Sequence, residues 1–130
     1  MTGRSSLGLP KANRLRQRQD FDRVYQTGKR RRATHLHVVI LKRTGTINPK
    51  DVLPVQVGIS ISKKVSKRAV VRNRLKRQLK AIAHSLLPRL DPGLRMVIVV
   101  RSDALTCDYW QLLQELEYLL VKAEVLHGDQ

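Results

Sequence analysis

The sequence is poor in several features on which particular classes of protein depend. It has one cysteine, Cys107, which excludes an intramolecular disulfide and a cysteine-based zinc cluster. Its longest apolar run is the five residues 96–100, whereas a helix that crosses a bilayer needs roughly 20. The first residues, Met-Thr-Gly-Arg-Ser-Ser, lack the apolar segment of a signal peptide. We therefore expect a soluble, cytoplasmic protein that does not associate with a membrane.

Acidic side chains are also scarce, and they are unevenly distributed. The 130 residues carry 26 Lys and Arg against 10 Asp and Glu, a formal net charge of +16. Residues 1–50 hold 13 basic and 2 acidic side chains, residues 51–90 hold 10 and 1, and residues 91–130 hold 3 and 7. A solvated helix normally interleaves acids at i,i+4 spacing to relieve repulsion, but no acid lies between Asp51 and Asp91. This stretch predicts an anionic partner.

The sequence contains no convincing catalytic set. It has neither the GxGxxG nor the Walker type of glycine-rich phosphate loop. His35 and His37 share a predicted strand face, but no third ligand lies nearby in the sequence. Two pairs of acids at i,i+2 spacing point apart on predicted helices: Asp20 with Asp22, and Glu115 with Glu117. We expect no catalytic residue, no metal site, no cofactor and no small-molecule substrate in this chain.

Apolar periodicity predicts one α+β domain with helices mainly on one face of a mixed sheet. The predicted elements are a helix from an Asp20 cap to Gly28, a strand over residues 34–43, a loop over 44–53, a strand over 55–62, a helix over about 66–87, a buried strand over 96–100, and a last helix capped by Thr106 or Asp108. We expect residues 1–12 to form a flexible basic arm, residues 13–124 the folded domain and residues 125–130 a tail.

The predicted second helix is apolar on one side and cationic on the other. Its apolar stripe consists of Val71, Leu75, Leu79, Ile82 and Leu86. The remaining surface carries guanidinium groups, which bind phosphates through paired hydrogen bonds. The helix follows a strand rather than the first helix of a helix-turn-helix DNA reader. We therefore favour RNA over DNA as the ligand of the domain.

Two aromatic residues add a second candidate surface. Phe21 and Tyr25 lie at i,i+4 on the predicted first helix, and the strand over 55–62 has a small polar face. Aromatic rings stack on any base, so these features fit a platform for single-stranded nucleic acid. The alternative is that the rings are core anchors and the polar face is an ordinary solvent face.

Three motifs in a fixed order resemble the bacterial ribonuclease P protein family over about residues 11–122. They are Asp20-Phe-Asp-Arg-Val-Tyr25, Val57-Gly-Ile-Ser-Ile-Ser-Lys-Lys64, and Arg72-Asn73-Arg74 followed by Lys76 and Arg77. The resemblance implies an αβββαβα two-layer sandwich with a left-handed βαβ crossover. It also implies a subunit of an endoribonuclease whose RNA component holds the catalytic centre, requires magnesium and removes the 5′ leader of precursor tRNA.

The resemblance assigns residues to two RNA contacts. Those that match the family's leader-binding cleft for precursor tRNA are Phe21, Tyr25, His37, Val39, Ser60 and Lys64. Those that match the signature helix facing the catalytic RNA are Lys67, Arg68, Arg72, Asn73, Arg74, Lys76, Arg77 and Lys80. Val39 stands where the family often has an aromatic residue. A structural protein of the ribosomal type shares the charge and size of this chain and is the alternative function.

Overall fold

Seven helices and strands follow one another in the part of the chain that the computed structural model describes, which is residues 9–42, 53–101, 104 and 106–127. They are α1 Arg18–Thr27, β1 Lys29–Arg32, β2 Leu36–Lys42, β3 Gln56–Ser60, α2 Ala69–Leu86, β4 Leu94–Val100 and α3 Tyr109–Lys122. Short 3-10 turns cover Lys11–Asn13 and Leu87–Arg89. The order of elements is the αβββαβα order that the resemblance implies.

The four strands form one mixed sheet in the order β1-β2-β4-β3. β2 pairs antiparallel with both β1 and β4, and β3 pairs parallel with β4. Parallel neighbours need a crossover connection, and α2 supplies it between β3 and β4. The α+β class and the mixed sheet are confirmed, while the left-handed sense of the crossover stays a prediction.

Alternation of side chains along the strands divides the interior into two clusters. On one side of the sheet, α2 and α3 pack against the main core, in which Val38, Leu79 and Ile98 are buried. On the other side, α1 places Val24 in a smaller cluster with Val39. One side of the sheet is therefore covered by two helices and the other by one.

The helical predictions hold where the apolar period is long. The stripe of α2 is buried from Leu75 to Leu86. The N-cap residue of α3 is Asp108, one of the two predicted caps, and its side chain accepts a hydrogen bond from the Gln111 backbone N–H in a capping box. None of the described helices is long and apolar enough to span a membrane. The predicted loop over 44–53 lies, apart from Leu53, outside the described residues.

The prediction for the start of α1 is wrong. The helix begins one turn earlier than expected, with Gln17 as its N-cap residue. The Asp20 carboxylate instead faces β4, where its Oδ1 atom lies 3.4 Å from Arg95 Nη1. Gly28 does follow the last residue of the helix, as predicted. Its position has no room for a side chain, because a β-carbon would lie 2.5 Å from the Val24 carbonyl oxygen and 2.9 Å from that of Ile40.

Both ends of the described chain pack on the domain, contrary to the expected boundaries at residues 12 and 125. Leu9 is buried in the main core, and the Asn13 side chain donates a hydrogen bond of 2.7 Å to the Val55 carbonyl. Val125 and Leu126 are buried too, since Glu124, with a φ of 64°, turns the chain back onto the core. These segments are too short to show a periodicity.

Candidate nucleic-acid interface

Cross-strand register arranges the side chains on the α1 side of the sheet in rows. One row, which we call the open row, consists of Arg32, His37, Val99 and Ser60. The next, the covered row, consists of Arg30, Val39, Val97 and Gly58. Val39, Val97 and Gly58 are buried, whereas His37, Val99 and Ser60 are partly exposed. α1 therefore covers one row and leaves the other accessible along its edge.

Phe21 and Tyr25 lie on the edge of α1 and are both partly exposed. The Phe21 ring lies against Gly58, where a β-carbon would be 2.6 Å from its Cε1 atom. The Tyr25 ring carries the Arg30 guanidinium 5.8 Å from its centroid, which is cation–π range. Both rings also pack against the small cluster. The two alternatives left open by the sequence are thus combined, since each ring anchors α1 and keeps an exposed part.

Val39 does not reach the surface, so its assignment to direct leader contact is wrong. Its side chain is 0% exposed and packs with Leu15, Val24 and Val97. The reason is that Val39 belongs to the covered row beneath α1. Its role in the site is to support the helix that carries the two rings.

His37 stands in the open row among cations. Burial, followed by the positive charges of Arg32, Arg30 and Arg101, lowers the pKa of the His37 imidazole below its usual value. Within the described part of the chain, its buried Nε2 atom has no hydrogen-bond partner. A phosphate in the open row would offset the surrounding positive charge.

Beyond the open row, the chain continues from Ser60 into the segment that leads to α2. Lys64 and Lys67 are exposed in this segment. Arg68 is the N-cap residue of α2, and its backbone N–H donates a hydrogen bond of 3.1 Å to Ser66 Oγ. The expectation that Lys67 and Arg68 lie on the signature helix is therefore wrong, because the helix begins at Ala69.

The cations and the amide of the α2 signature divide into three groups. Arg74 and Arg77, together with the Asn73 amide, are exposed on the outer side of the helix. Arg72 is half-buried, and its Nη1 donates a hydrogen bond of 2.8 Å to the Ser66 carbonyl, so it also fixes the segment before the helix. Lys76 and Lys80 face a groove beside β3 instead.

That groove, which we call the α2 groove, brings together cations from two distant parts of the chain. It has a volume of about 260 Å³ and is lined by Arg14, Arg16, Lys76 and Lys80, with Phe21, Gly58 and four apolar side chains. Burial, then the charges of Lys76 and Arg14, lowers the pKa of Lys80. No carboxylate is among the described residues that line it. An anion in the groove would relieve this repulsion.

Arg14 and Arg16 line this groove, although neither the sequence pattern nor the resemblance predicts a role for them. They lie in an extended segment in which the Leu15 backbone N–H donates a hydrogen bond of 3.0 Å to the Val57 carbonyl, outside any regular helix or strand. The only signal for them in the sequence is the spacing of basic residues at 14, 16 and 18.

Within the described residues, no three or more His, Cys, Asp or Glu side chains are placed to hold a metal ion.

Both the sequence and the fold of this chain are similar to those of known proteins. The model of the Ribonuclease P family matches residues 9–124. A ribonuclease P protein component from a Cyanothece species is 53% identical and covers 92% of this chain and 98% of its own length. One from Microcystis aeruginosa is 50% identical over 94% of this chain and 99% of its own.

Solved structures give the same result. The RNase P protein of Staphylococcus aureus superimposes with a TM-score of 0.75 at 26% identity, over 90% of this chain and 100% of that one. The RNase P protein of Thermotoga maritima gives a TM-score of 0.69 at 26% identity, over 84% of this chain and 96% of that one.

Proposed function

Because the chain belongs to the ribonuclease P protein family, we propose that it is the protein subunit of a ribonuclease P that removes the 5′ leader of precursor tRNA. In this proposal the catalytic centre and its magnesium ions belong to the RNA subunit. The contribution of this chain is to bind and position two RNA molecules in the cytoplasm. The observation that carries the proposal is the presence of two distinct cationic surfaces on one small domain.

The first surface binds the RNA subunit. It consists of the outer side of α2 and the α2 groove, with Arg74, Arg77, Lys76, Lys80 and Arg14 as its main cations. Contacts to phosphates are independent of sequence and release counterions. The lowered pKa of Lys80, caused by burial and then by Lys76 and Arg14, supports a phosphate in the groove, because such a ligand favours the charged ammonium.

The second surface binds the leader. A single strand lying along the open row meets Arg32 within that row. Along the edge of α1 it meets the exposed parts of Phe21 and Tyr25 and the Arg30 guanidinium beside the Tyr25 ring. Rings stack on any base and guanidinium groups bind any phosphate. Binding of this kind tolerates differences in leader sequence, as an enzyme that acts on many precursors requires.

Bringing a leader close to a large RNA creates repulsion between phosphates, which cations must offset. We therefore expect the isolated protein to cleave nothing, and expect it to raise cleavage of precursor tRNA by the cognate RNA subunit most strongly at low magnesium. Cleavage by the protein without RNA, or no effect of the protein on the RNA, contradicts the proposal. The ribosomal alternative is not supported, since the matching family model and the relatives are ribonuclease P proteins.

Two variants separate the surfaces. Arg77→Ala should weaken binding to the RNA subunit and lower the slope of log K against log salt by roughly 0.7–0.9, the loss of one phosphate contact. Tyr25→Ala should leave that slope unchanged and weaken binding of precursor tRNA by about 1–3 kcal/mol, with little effect on mature tRNA. Equal losses for precursor and mature tRNA in Tyr25→Ala would contradict the leader assignment.

A further inference from the structure

The four cations of β1 do not share one surface. Arg30 pairs with Val39 and Arg32 with His37, which belong to the covered and open rows on the α1 side. Lys29 pairs with Ile40 and Arg31 with Val38, two residues of the main core on the α3 side. Paired residues on neighbouring strands face the same side of a sheet, so the basic run sends two charges to each side. The proposed leader surface accounts only for Arg30 and Arg32.

Lys29 and Arg31 meet further cations in a second groove, which we call the β1-edge groove. It has a volume of about 440 Å³, and its charged lining residues are Lys29, Arg31, Lys42, Lys122 and Glu124. Four cations therefore face one acid. The Lys42 side chain is more than half exposed, and its Nζ atom lies 3.4 Å from Asp91 Oδ2. The Lys122 Nζ atom lies 5.7 Å from the centroid of the Tyr118 ring. The surplus positive charge of the groove is thus centred on β1.

We propose that the β1-edge groove binds the phosphodiester backbone of the RNA subunit, as a contact separate from α2. The inference rests on the proposed function. An excess of Lys and Arg with a single acid fits a run of phosphates, and no aromatic ring for base stacking is among its described lining residues. Backbone contact without base stacking is the mode that fits such a lining.

The position of the groove selects the RNA subunit over the leader. β1 and β3 are the two edges of the described sheet, about 14 Å apart at three strand spacings of roughly 4.8 Å. The α2 groove lies at the β3 edge, where Phe21 and Gly58 line it from the α1 side. The β1-edge groove lies at the other edge on the α3 side, and the open row crosses the α1 side of the sheet between the two edges. An RNA that engages both edges leaves the open row uncovered, since none of its four residues lines either groove.

The alternation in β1 supplies a matched experiment. Lys29→Ala/Arg31→Ala and Arg30→Ala/Arg32→Ala remove the same charge from the same strand on opposite sides. Each variant is titrated with the RNA subunit alone across a range of salt, and each holoenzyme is titrated with precursor and mature tRNA. Circular dichroism of both variants confirms that the fold is retained.

We expect Lys29→Ala/Arg31→Ala to lower the salt slope for the RNA subunit by about 1.4–1.8, two phosphate contacts at 0.7–0.9 each, and to keep the ratio of precursor to mature tRNA affinity. Arg30→Ala/Arg32→Ala should keep the slope and reduce that ratio. Equal slope changes in both variants would show a general charge effect and overturn the inference. If the salt slope is unchanged in Lys29→Ala/Arg31→Ala but reduced in Arg77→Ala, only this inference is overturned. If the slope is unchanged in Lys29→Ala/Arg31→Ala and also in Arg77→Ala, the proposed function is overturned as well.

Discussion

Phe21 occupies the space that a side chain on Gly58 would need. A β-carbon added to Gly58 would lie 2.6 Å from Phe21 Cε1 and closer still to Cζ. Packing therefore explains why β3 has a glycine at this position. The Phe21 ring must approach the β3 backbone closely for α1 to pack on the sheet.

Gly58→Ala should displace the Phe21 ring and lower the free energy of unfolding by about 1–3 kcal/mol, the usual cost of overpacking. Urea denaturation measures this change. In the background of Phe21→Ala the same substitution should cost much less, because the ring is gone, and the double-mutant cycle gives the coupling. Additive effects in the cycle would show that the ring does not determine the need for glycine.

The pKa of His37 should lie below its ordinary value of about 6.5 in the free protein, because burial and then Arg32, Arg30 and Arg101 disfavour the imidazolium. The unfolded state then binds the proton more tightly than the folded state. His37 therefore lowers stability as the pH falls below about 6.5 and has no such effect well above it.

Proton NMR of the His37 ring across pH 4–8 measures this pKa directly. Arg32→Ala should raise it, and a single-stranded oligonucleotide in the open row should raise it further by adding negative charge. A pKa at or above the ordinary value in the free protein would contradict the placement of His37 among these cations.

Glu115 fixes the start of β2 to α3. Its Oε2 atom accepts hydrogen bonds of 2.7 Å from the backbone N–H groups of His35 and Leu36, and its Oε1 lies 2.9 Å from His35 Nδ1. Glu115→Ala should cost about 1–3 kcal/mol of stability, because it leaves two partly buried N–H groups without an acceptor.

Glu117→Ala is the matched control on the same helix. Glu117 pairs with the Arg89 side chain at 2.9 Å and satisfies no backbone group in this contact, so its loss should cost no more than about 1 kcal/mol. Similar losses in both variants would mean that Glu115 acts only through its charge.

Glu124 adopts a left-handed conformation, with a φ of 64°, at the C-terminal end of α3. The Val125 and Glu124 N–H groups donate to the Leu120 and Val121 carbonyls at 3.1 and 2.9 Å, the pattern of a Schellman motif, which favours glycine. Glu124→Gly should raise the free energy of unfolding by up to about 1 kcal/mol.

Glu124→Ala removes the same charge but keeps the β-carbon, so it should give no comparable gain. A thermal shift of equal size in the two variants would assign the effect to charge rather than to backbone conformation.

Long apolar periods made α2, β4 and α3 predictable, because each buries a continuous stripe. β1 was not predictable as a strand, since its four residues are all basic and only pairing with β2 makes it extended. The burial of Val39 depends on which element covers its side of the sheet, and that follows from the packing of Val24 rather than from the local sequence. The α2 groove likewise exists only because Arg14 lies beside α2 in the fold.

The charges of β1 have a consequence for the protein before it meets RNA. In the described sheet this strand pairs with β2 alone, so its outer backbone edge could act as a template for a strand from another copy. Such an addition would set two strands of four cations each about 4.8 Å apart, and charged side chains on an edge strand oppose that growth. Repulsion between these side chains thus opposes edge-to-edge association of RNA-free copies, and this repulsion weakens at higher salt, which shortens its range.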